Sequence, residues 1–236
     1  MELLSTAHLP HPLPTTPLAL AAAWLEEATT RAIQPNPNAM TLATVAADGH
    51  PSARIVLCRG FEVERGCITF FTNYASRKGT ELAATGRAAA LFHWDLLHRQ
   101  VRLEGPVTQL SAAESDAYFH SRPWQSRVGA WASQQSQPVA HREDLKAALD
   151  AAATRFGAPV SELGGTGGTN DYAIPRPAHW GGYRLWVEDA ELWVEAAYRL
   201  HDRARWTRTL VANPAAVPHG EASWTGGPWQ VSRLQP

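Results

Sequence analysis

The sequence predicts an α+β fold built on an antiparallel sheet or barrel. Four or five strand-like segments follow one another between residues 41 and 110, joined by tight turns such as Asp48-Gly49 and Arg65-Gly66. Little helix is interleaved with them, which argues against parallel crossovers. Strand-like segments resume after residue 182 and run to the C-terminus. The chain has 236 residues, 44% hydrophobic and 18% charged, a globular composition that excludes a disordered or coiled-coil protein. Neither a linker nor an internal repeat stands out. One domain over residues 16–236 is expected, behind a flexible N-terminal arm at 1–15 that is rich in Pro, His and Thr.

The elements follow in order. Thr16 suits an N-cap and Pro17 a first helical position, and Leu18, Ala21, Ala22 and Leu25 fall at helical spacing, so a helix is expected to about Ile33. Residues 41–45, 52–58 and 67–72 read as strands. Ser76 is placed to cap a short helix that Gly86 ends. Residues 88–94 and 100–110 are two further strands. Ser111-Ala112-Ala113-Glu114 is a capping box opening a helix to about His120, and 123–132 and 142–155 read as two more helices. Residues 164–170 (GGTGGTN) form a flexible loop; they lack GxGxxG spacing and no strand leads into them, so they do not predict a nucleotide site. The last strands are expected at 182–187, 191–194, 204–210 and 229–233.

Charge and cysteine content narrow the function classes. Lys+Arg is 21 against 22 Asp+Glu, a net charge of −1. No global field draws the chain to nucleic acid or to an anionic membrane, so an anion site has to be local. Only Lys78 and Lys146 are lysines among those cations. Cys58 and Cys67 flank a turn and are placed to face each other, but two cysteines fit a reduced pair better than a disulfide scaffold. The apolar run 18–25 is far short of the roughly 20 residues that span a bilayer. It also lacks a basic flank, which leaves the cytoplasm as the expected compartment.

Three groups carry candidate chemistry. Ser76-Arg77-Lys78 follows a strand at a helix start, where backbone N–H groups, two cations and a hydroxyl make a phosphate cradle. Nearby, Arg54 and Arg59 stand five apart on one strand, so they point to opposite faces unless a bulge intervenes, and a buried Arg there demands an anion. Tyr118, His120, Arg122 and Ser126 gather around Pro123 at a helix end. Arg199, His201 and Arg203 alternate, and in an extended segment they share one face, where a row of cations asks for an anionic partner. Trp193 stands six residues before Arg199. The ten histidines form no metal-ligand spacing, and there is no GxSxG elbow.

In this order and spacing, NAMTLATV (38–45), RIVLCRGF (54–61), FFTNYASRKGTEL (70–82), RQV (99–101), YFHSRPWQSRVGAWASQQS (118–136), WGGYRL (180–185), RLHDR (199–203) and RLQP (233–236) resemble the pyridoxine/pyridoxamine 5′-phosphate oxidase family. The first of these blocks support only a broad flavin-binding split-barrel class; 118–136 and 199–203 narrow it. The resemblance implies a split β-barrel homodimer with FMN at the dimer interface. It implies that Arg54, Ser76, Arg77 and Lys78 hold the FMN phosphate, with Gln135 and Ser136 from the partner subunit. Ile55, Val56, Leu57, Phe71 and Thr72 would line the ring and ribityl chain, and Gln100, Trp193 and Arg203 would complete the flavin site. Substrate phosphate would be held by Arg59, Tyr118, Arg122 and Ser126, with Arg199, Leu200 and His201 over the pyridine ring and Arg199 and His201 catalytic.

The implied reaction is oxidation of pyridoxine or pyridoxamine 5′-phosphate to pyridoxal 5′-phosphate, with O2 as acceptor and hydrogen peroxide as co-product. The alternatives are a related flavin oxidase of a phenazine-type ring, or a flavin or pyridoxal-phosphate binding module without turnover. The chain departs from the family pattern in places. Arg59 stands where Lys is usual, Trp124 where a polar residue is frequent, and residues 194–198 contain no glycine.

Overall fold

A computed structural model of the chain describes residues 8–165, 172–213 and 223–236. The elements are α1 (Pro17–Thr30), β1 (Ala39–Val45), β2 (Pro51–Glu62), β3 (Cys67–Asn73), α2 (Arg77–Thr85), β4 (Arg87–Trp94), β5 (Arg99–Gln109), α3 (Ala112–Ser121), α4 (Trp124–Ala132), α5 (Arg142–Arg155), β6 (Trp180–Trp186), β7 (Asp189–Val194), β8 (Asp202–Thr207), β9 (Leu210–Ala212), β10 (Trp224–Gly226) and β11 (Gln230–Leu234). The main sheet runs β11-β8-β7-β5-β4-β1-β2-β3-β6, and β6 also pairs with β5. Six strands, β5-β4-β1-β2-β3-β6, therefore close into an antiparallel barrel with helices beside it. β7, β8 and β11 extend the sheet from β5. The fold class agrees with the α+β barrel expected from the sequence.

Most local expectations hold. Gly49 sits at φ +89° in the β1–β2 turn, closed by Ala46 N–H to the His50 carbonyl at 2.9 Å. Ser111 and Glu114 form the capping box, each side chain accepting the other's backbone N–H at 3.2 Å. α1 stops at Thr30, short of Ile33, because Ala32 turns left-handed (φ +47°) and Ile33 N–H closes back on the Ala28 carbonyl. The strand expected over 204–210 is two strands. Arg208 leaves β8: its N–H goes to the Glu188 carbonyl and its guanidinium to the carbonyls of Val187 and Gly66, and β9 then pairs with β10. The GGTGGTN loop lies largely outside the described residues, at 166–170.

The chain divides into two compact units. The first comprises Met1–Phe70, Glu81–Thr108 and Tyr183–Pro236. Its core is aromatic and aliphatic: Phe70, Phe92, Trp94, Val101, Leu103, Leu192 and Trp206 are fully buried. The arm is anchored in this unit from residue 8 on, rather than loose. Leu9 is buried, its N–H donates to Asp202 Oδ2 at 2.8 Å, and the Pro14 carbonyl accepts from Trp206 Nε1. The second unit comprises Phe71–Thr80 and Gln109–Gly182. Its core gathers Phe119, Trp124, Val128, Ala153 and Ile174. Trp124, a departure from the family pattern, is a core residue here, edge-on to Tyr172 at 5.2 Å.

Cys58 and Cys67 are both free and buried. They do not face each other: in the β2–β3 register Cys58 stands opposite Phe70 and Cys67 opposite Glu62. Burial pushes the Cys58 thiol up to about 11 and the Cys67 thiol up to about 12 from an ordinary 9.0. Both therefore stay protonated, and inert to a disulfide-exchange reagent, at pH 8 in the folded chain. Two equivalents should react only after denaturation; rapid labelling of native protein would contradict this burial. Their raised values add stability that is complete below pH 9 and is lost as pH climbs through about 11 and 12.

Candidate active site

Two groups of candidate residues assemble, one in each unit. In the second unit, β3 runs into α2 through a turn. Ser76, fully buried, caps the helix: its Oγ accepts Gly79 N–H at 3.3 Å and donates to the Asn73 carbonyl at 2.7 Å. Lys78 Nζ donates to Gln135 Oε1 at 2.8 Å, Thr72 Oγ1 at 3.2 Å and Ser76 Oγ at 3.2 Å. Thr72 also donates to Gln135 across 63 positions of sequence. The cradle read at Ser76–Lys78 is thus extended by Thr72 and Gln135, and Gln135 meets Lys78 of its own chain. Neutral oxygens orient this ammonium. Arg77 is exposed on the first turn of α2, and Ser136, next to Gln135, is exposed and held at φ +73°.

A cleft of about 320 Å³ opens beside this cluster, lined by Phe71, Thr72, Gln135, Arg122, Ser126 and Trp180 among others. Arg122 follows α3, and its guanidinium lies 4.6 Å from the Trp180 ring centroid and 5.5 Å from that of Phe119, with Nη2 donating to the Ser126 carbonyl at 2.9 Å. Tyr118 stacks on Phe71 at 3.9 Å. Residue-type reasoning missed Trp180 as the platform under Arg122; the WGG motif was the available signal. Gly181 beside it is required by space, since a Cβ there would sit 2.0 Å from the Tyr74 hydroxyl. His120 does not join the cleft: it is exposed and bonds the Asp116 carbonyl on its own helix.

In the first unit, strand register makes a row. Gln100 on β5 pairs with Trp193 on β7, which pairs with Arg203 on β8. Side chains two residues apart share a face, so the neighbouring row Arg102–Glu191–Arg205 lies on the same side, while Val101, Leu103, Leu192 and Ala204 fill the core on the other. The Trp193 and His201 rings pack tilted at 42°, with centroids 4.6 Å apart. His201 Nδ1 accepts the Ala196 N–H at 3.2 Å, which leaves Nε2 as the protonated nitrogen of the neutral ring. Leu200 is exposed.

The expected alternation of Arg199, His201 and Arg203 fails. β8 begins only at Asp202, and Arg199 closes a 3₁₀ turn in which Tyr198 and Arg199 adopt φ +59° and +64°. Two non-glycine residues in the left-handed region store of order 1 kcal/mol each. Glycine would adopt such angles without that cost, and residues 194–198 contain none.

Arg54 and Arg59 behave differently from each other. The anion that half-buried Arg54 demands is Glu81, at 3.1 Å and itself 5% exposed; Arg54 also donates to Thr44 Oγ1, Ser52 Oγ and the Leu42 carbonyl. The β2–β3 register shifts between Cys58 and Gly60, so a bulge at Arg59 breaks the period-two alternation and Arg59 is exposed. Ile55 is exposed; Val56 and Leu57 are half-buried.

Each group, taken by itself, carries donors suited to part of a phosphorylated flavin. One cluster offers an ammonium, an amide and a hydroxyl about a helix N-terminus, and one row offers an amide, an indole and a guanidinium. Among the described residues no helix is long and apolar enough to cross a membrane.

Comparison with known proteins agrees with this chemistry. Residues 26–156 match the family model described as pyridoxamine 5′-phosphate oxidase, and residues 180–236 match that of the pyridoxine 5′-phosphate oxidase C-terminal dimerisation region. The chain is 49% identical over 221 residues to the pyridoxine/pyridoxamine 5′-phosphate oxidase of Bordetella avium, covering 94% of this chain and 90% of that one. It is 48% identical over 220 residues to the enzyme of that name from Burkholderia multivorans, covering 93% and 89%. Among solved structures it resembles PhzG from Burkholderia lata 383 in complex with tetrahydrophenazine-1-carboxylic acid, with TM-score 0.78, 28% identity, and coverage of 100% and 98%. A pyridoxamine 5′-phosphate oxidase-related, FMN binding protein from Nostoc punctiforme shares the fold at TM-score 0.65 and 14% identity, with coverage of 95% and 100%. These matches, spanning most of the chain, point to a flavin-binding oxidoreductase: the chain belongs to the pyridoxamine 5′-phosphate oxidase family.

Proposed function

We propose that this chain is an FMN-dependent oxidase that makes pyridoxal 5′-phosphate from pyridoxine 5′-phosphate or pyridoxamine 5′-phosphate, as a homodimer in the cytoplasm. One observation carries the reading: a single cleft is lined by Thr72 and Gln135, which hold the Lys78 ammonium, and by Arg122 and Ser126, a fork and a hydroxyl suited to a second phosphate. Arg77, Lys78, Gln135 and Ser136 hold the flavin phosphate, with Arg54 and the capping Ser76 supporting the cradle. Ile55, Val56, Leu57, Phe71 and Thr72 line the ring and ribityl chain, and Gln100, Trp193 and Arg203 meet the ring. When bound, FMN supplies a two-electron acceptor that O2 re-oxidises to give hydrogen peroxide. The alcohol and O2 yield aldehyde and peroxide; the amine also consumes one water and releases ammonia.

The chain's own residues bind and orient. Arg122, Ser126, Tyr118 and Arg59 clamp the ester phosphate and so fix the ring in place. Arg199 and Leu200 cover the pyridine ring, with the Arg199 guanidinium offsetting negative charge on its phenolic oxygen. His201, its tautomer set by Ala196, presents Nε2–H to the substrate oxygen or nitrogen. Arg199→Ala should lower turnover at saturating substrate by about 10²- to 10³-fold, the scale of one lost oxyanion-type donor. Unchanged kcat would remove that role.

The likeness to PhzG supports a second reading, oxidation of a carboxylated tricycle. Such a substrate carries no phosphate ester, so it would offer the Arg122–Ser126 clamp only a carboxylate. The deciding experiment supplies the yellow, FMN-loaded protein in air with pyridoxine 5′-phosphate, pyridoxamine 5′-phosphate or tetrahydrophenazine-1-carboxylic acid, and follows aldehyde and peroxide. Aldehyde and peroxide in equal amounts from pyridoxine 5′-phosphate support the proposal. Turnover of the tricycle alone supports the second reading, and a yellow protein without turnover identifies a binding module.

A further inference from the structure

We propose that Glu191 is a positioning residue for the flavin, acting through Arg203; this rests on the flavin reading above. Glu191 is 2% exposed, on the strand face that also carries Trp193. A carboxylate so buried persists only when it is paired and hydrogen-bonded. Its Oε1 accepts Arg203 Nε at 2.8 Å and lies 2.8 Å from Nη2, a side-on grip, while Oε2 lies 3.1 Å from Arg102 Nη2.

The surrounding charges show which pairing matters. Arg205 pairs with Asp189, and Arg102 has a second carboxylate in Glu104 at 2.9 Å. Glu191 thus grips Arg203 through Oε1 and shares Arg102 with Glu104 through Oε2. Arg203 Nη1 donates to the Gln235 carbonyl at 2.9 Å, so the guanidinium plane is held from two sides. A planar fork held this way offers directed N–H donors along its remaining edge instead of a freely rotating charge. Arg203 stands in register with Trp193 and Gln100, the other two residues assigned to the ring. Glu191 therefore fixes the orientation of one member of that row without touching the ligand.

The test uses apoprotein titrated with FMN, reading dissociation constant by flavin fluorescence and ring environment by visible circular dichroism. Glu191→Gln keeps the shape and loses the side-on grip. It should weaken FMN binding by roughly 10- to 100-fold, the worth of one or two charge-assisted hydrogen bonds, and change the visible dichroism. Arg203→Lys should do the same. The double variant should lose no more than Arg203→Lys alone, because both changes remove one interaction. Glu191→Asp, which keeps the charge on a shorter arm, should fall between wild type and Glu191→Gln, and it carries the test if the amide variant fails to fold. Wild-type affinity and dichroism in both Glu191 variants, or losses that add in the double variant, would overturn this inference while leaving the flavin reading intact. A wild-type chain that takes up no FMN would overturn both.

Discussion

Arg122→Ala should raise KM for the phosphate ester by about 10²- to 10⁴-fold and change kcat much less. Each charge-assisted hydrogen bond from a guanidinium to phosphate contributes about 1.5–3 kcal/mol, and the fork offers two. The loss falls on substrate and transition state alike, because the phosphate sits away from the carbon that is oxidised, so it shows in KM. The guanidinium is preorganised for this: it lies on the Trp180 face, and Nη2 is fixed by the Ser126 carbonyl. Arg122→Lys keeps the charge and loses the fork, and an intermediate KM is expected. The alanine variant should also lose most of its preference for the phosphorylated over the free vitamer. An unchanged KM would place the ester phosphate elsewhere and remove the main argument against a phenazine-type substrate.

Gly105→Ala should cost about 3 kcal/mol or more, lowering Tm by about 10 °C in a chain of this size. β5 pairs with β7 through Glu104 and also pairs with β6 to close the barrel. At Gly105 the backbones pass so closely that a Cβ would lie 1.8 Å from the Trp186 carbonyl oxygen and 3.2 Å from the Glu188 nitrogen. Those atoms are backbone, at the end of β6 and in the turn into β7, so no rotamer change relieves the clash. Gly129 is the control. It lies inside α4 with nothing within 4 Å of an added Cβ, so Gly129→Ala should be neutral or stabilising by up to about 1 kcal/mol. Thermal melts of the two variants should diverge; equal melting temperatures would show that the barrel does not close as described.

These two residues also show what sequence does and does not reveal. Turns and caps are local, so Asp48-Gly49, Ser76, Gly86 and the Ser111–Glu114 box announced themselves through residue type. Barrel closure by β5 and β6 is a pairing of distant segments, and nothing near Gly105 marks it. The row Gln100–Trp193–Arg203 exists only through register, and residue-type reasoning reached no further than Trp193 and the alternation at 199–203. That alternation misled because period-two logic presumes an extended chain, and residues 197–199 form a 3₁₀ turn. The anion expected at Arg54 is a ligand phosphate; the anion this chain supplies is Glu81, from a helix whose placement no periodicity could give. The contact of Lys78 with Gln135 likewise depends on tertiary packing. Resemblance named these site residues; geometry showed that several of them meet.

The most direct measurement is a crystal structure of the dimer with FMN and pyridoxal 5′-phosphate bound. The account predicts the flavin phosphate on Arg77 and Lys78, and the ester phosphate within hydrogen-bonding distance of Arg122 and Ser126. An ester phosphate bound away from both residues, or a flavin held without Lys78, would contradict it.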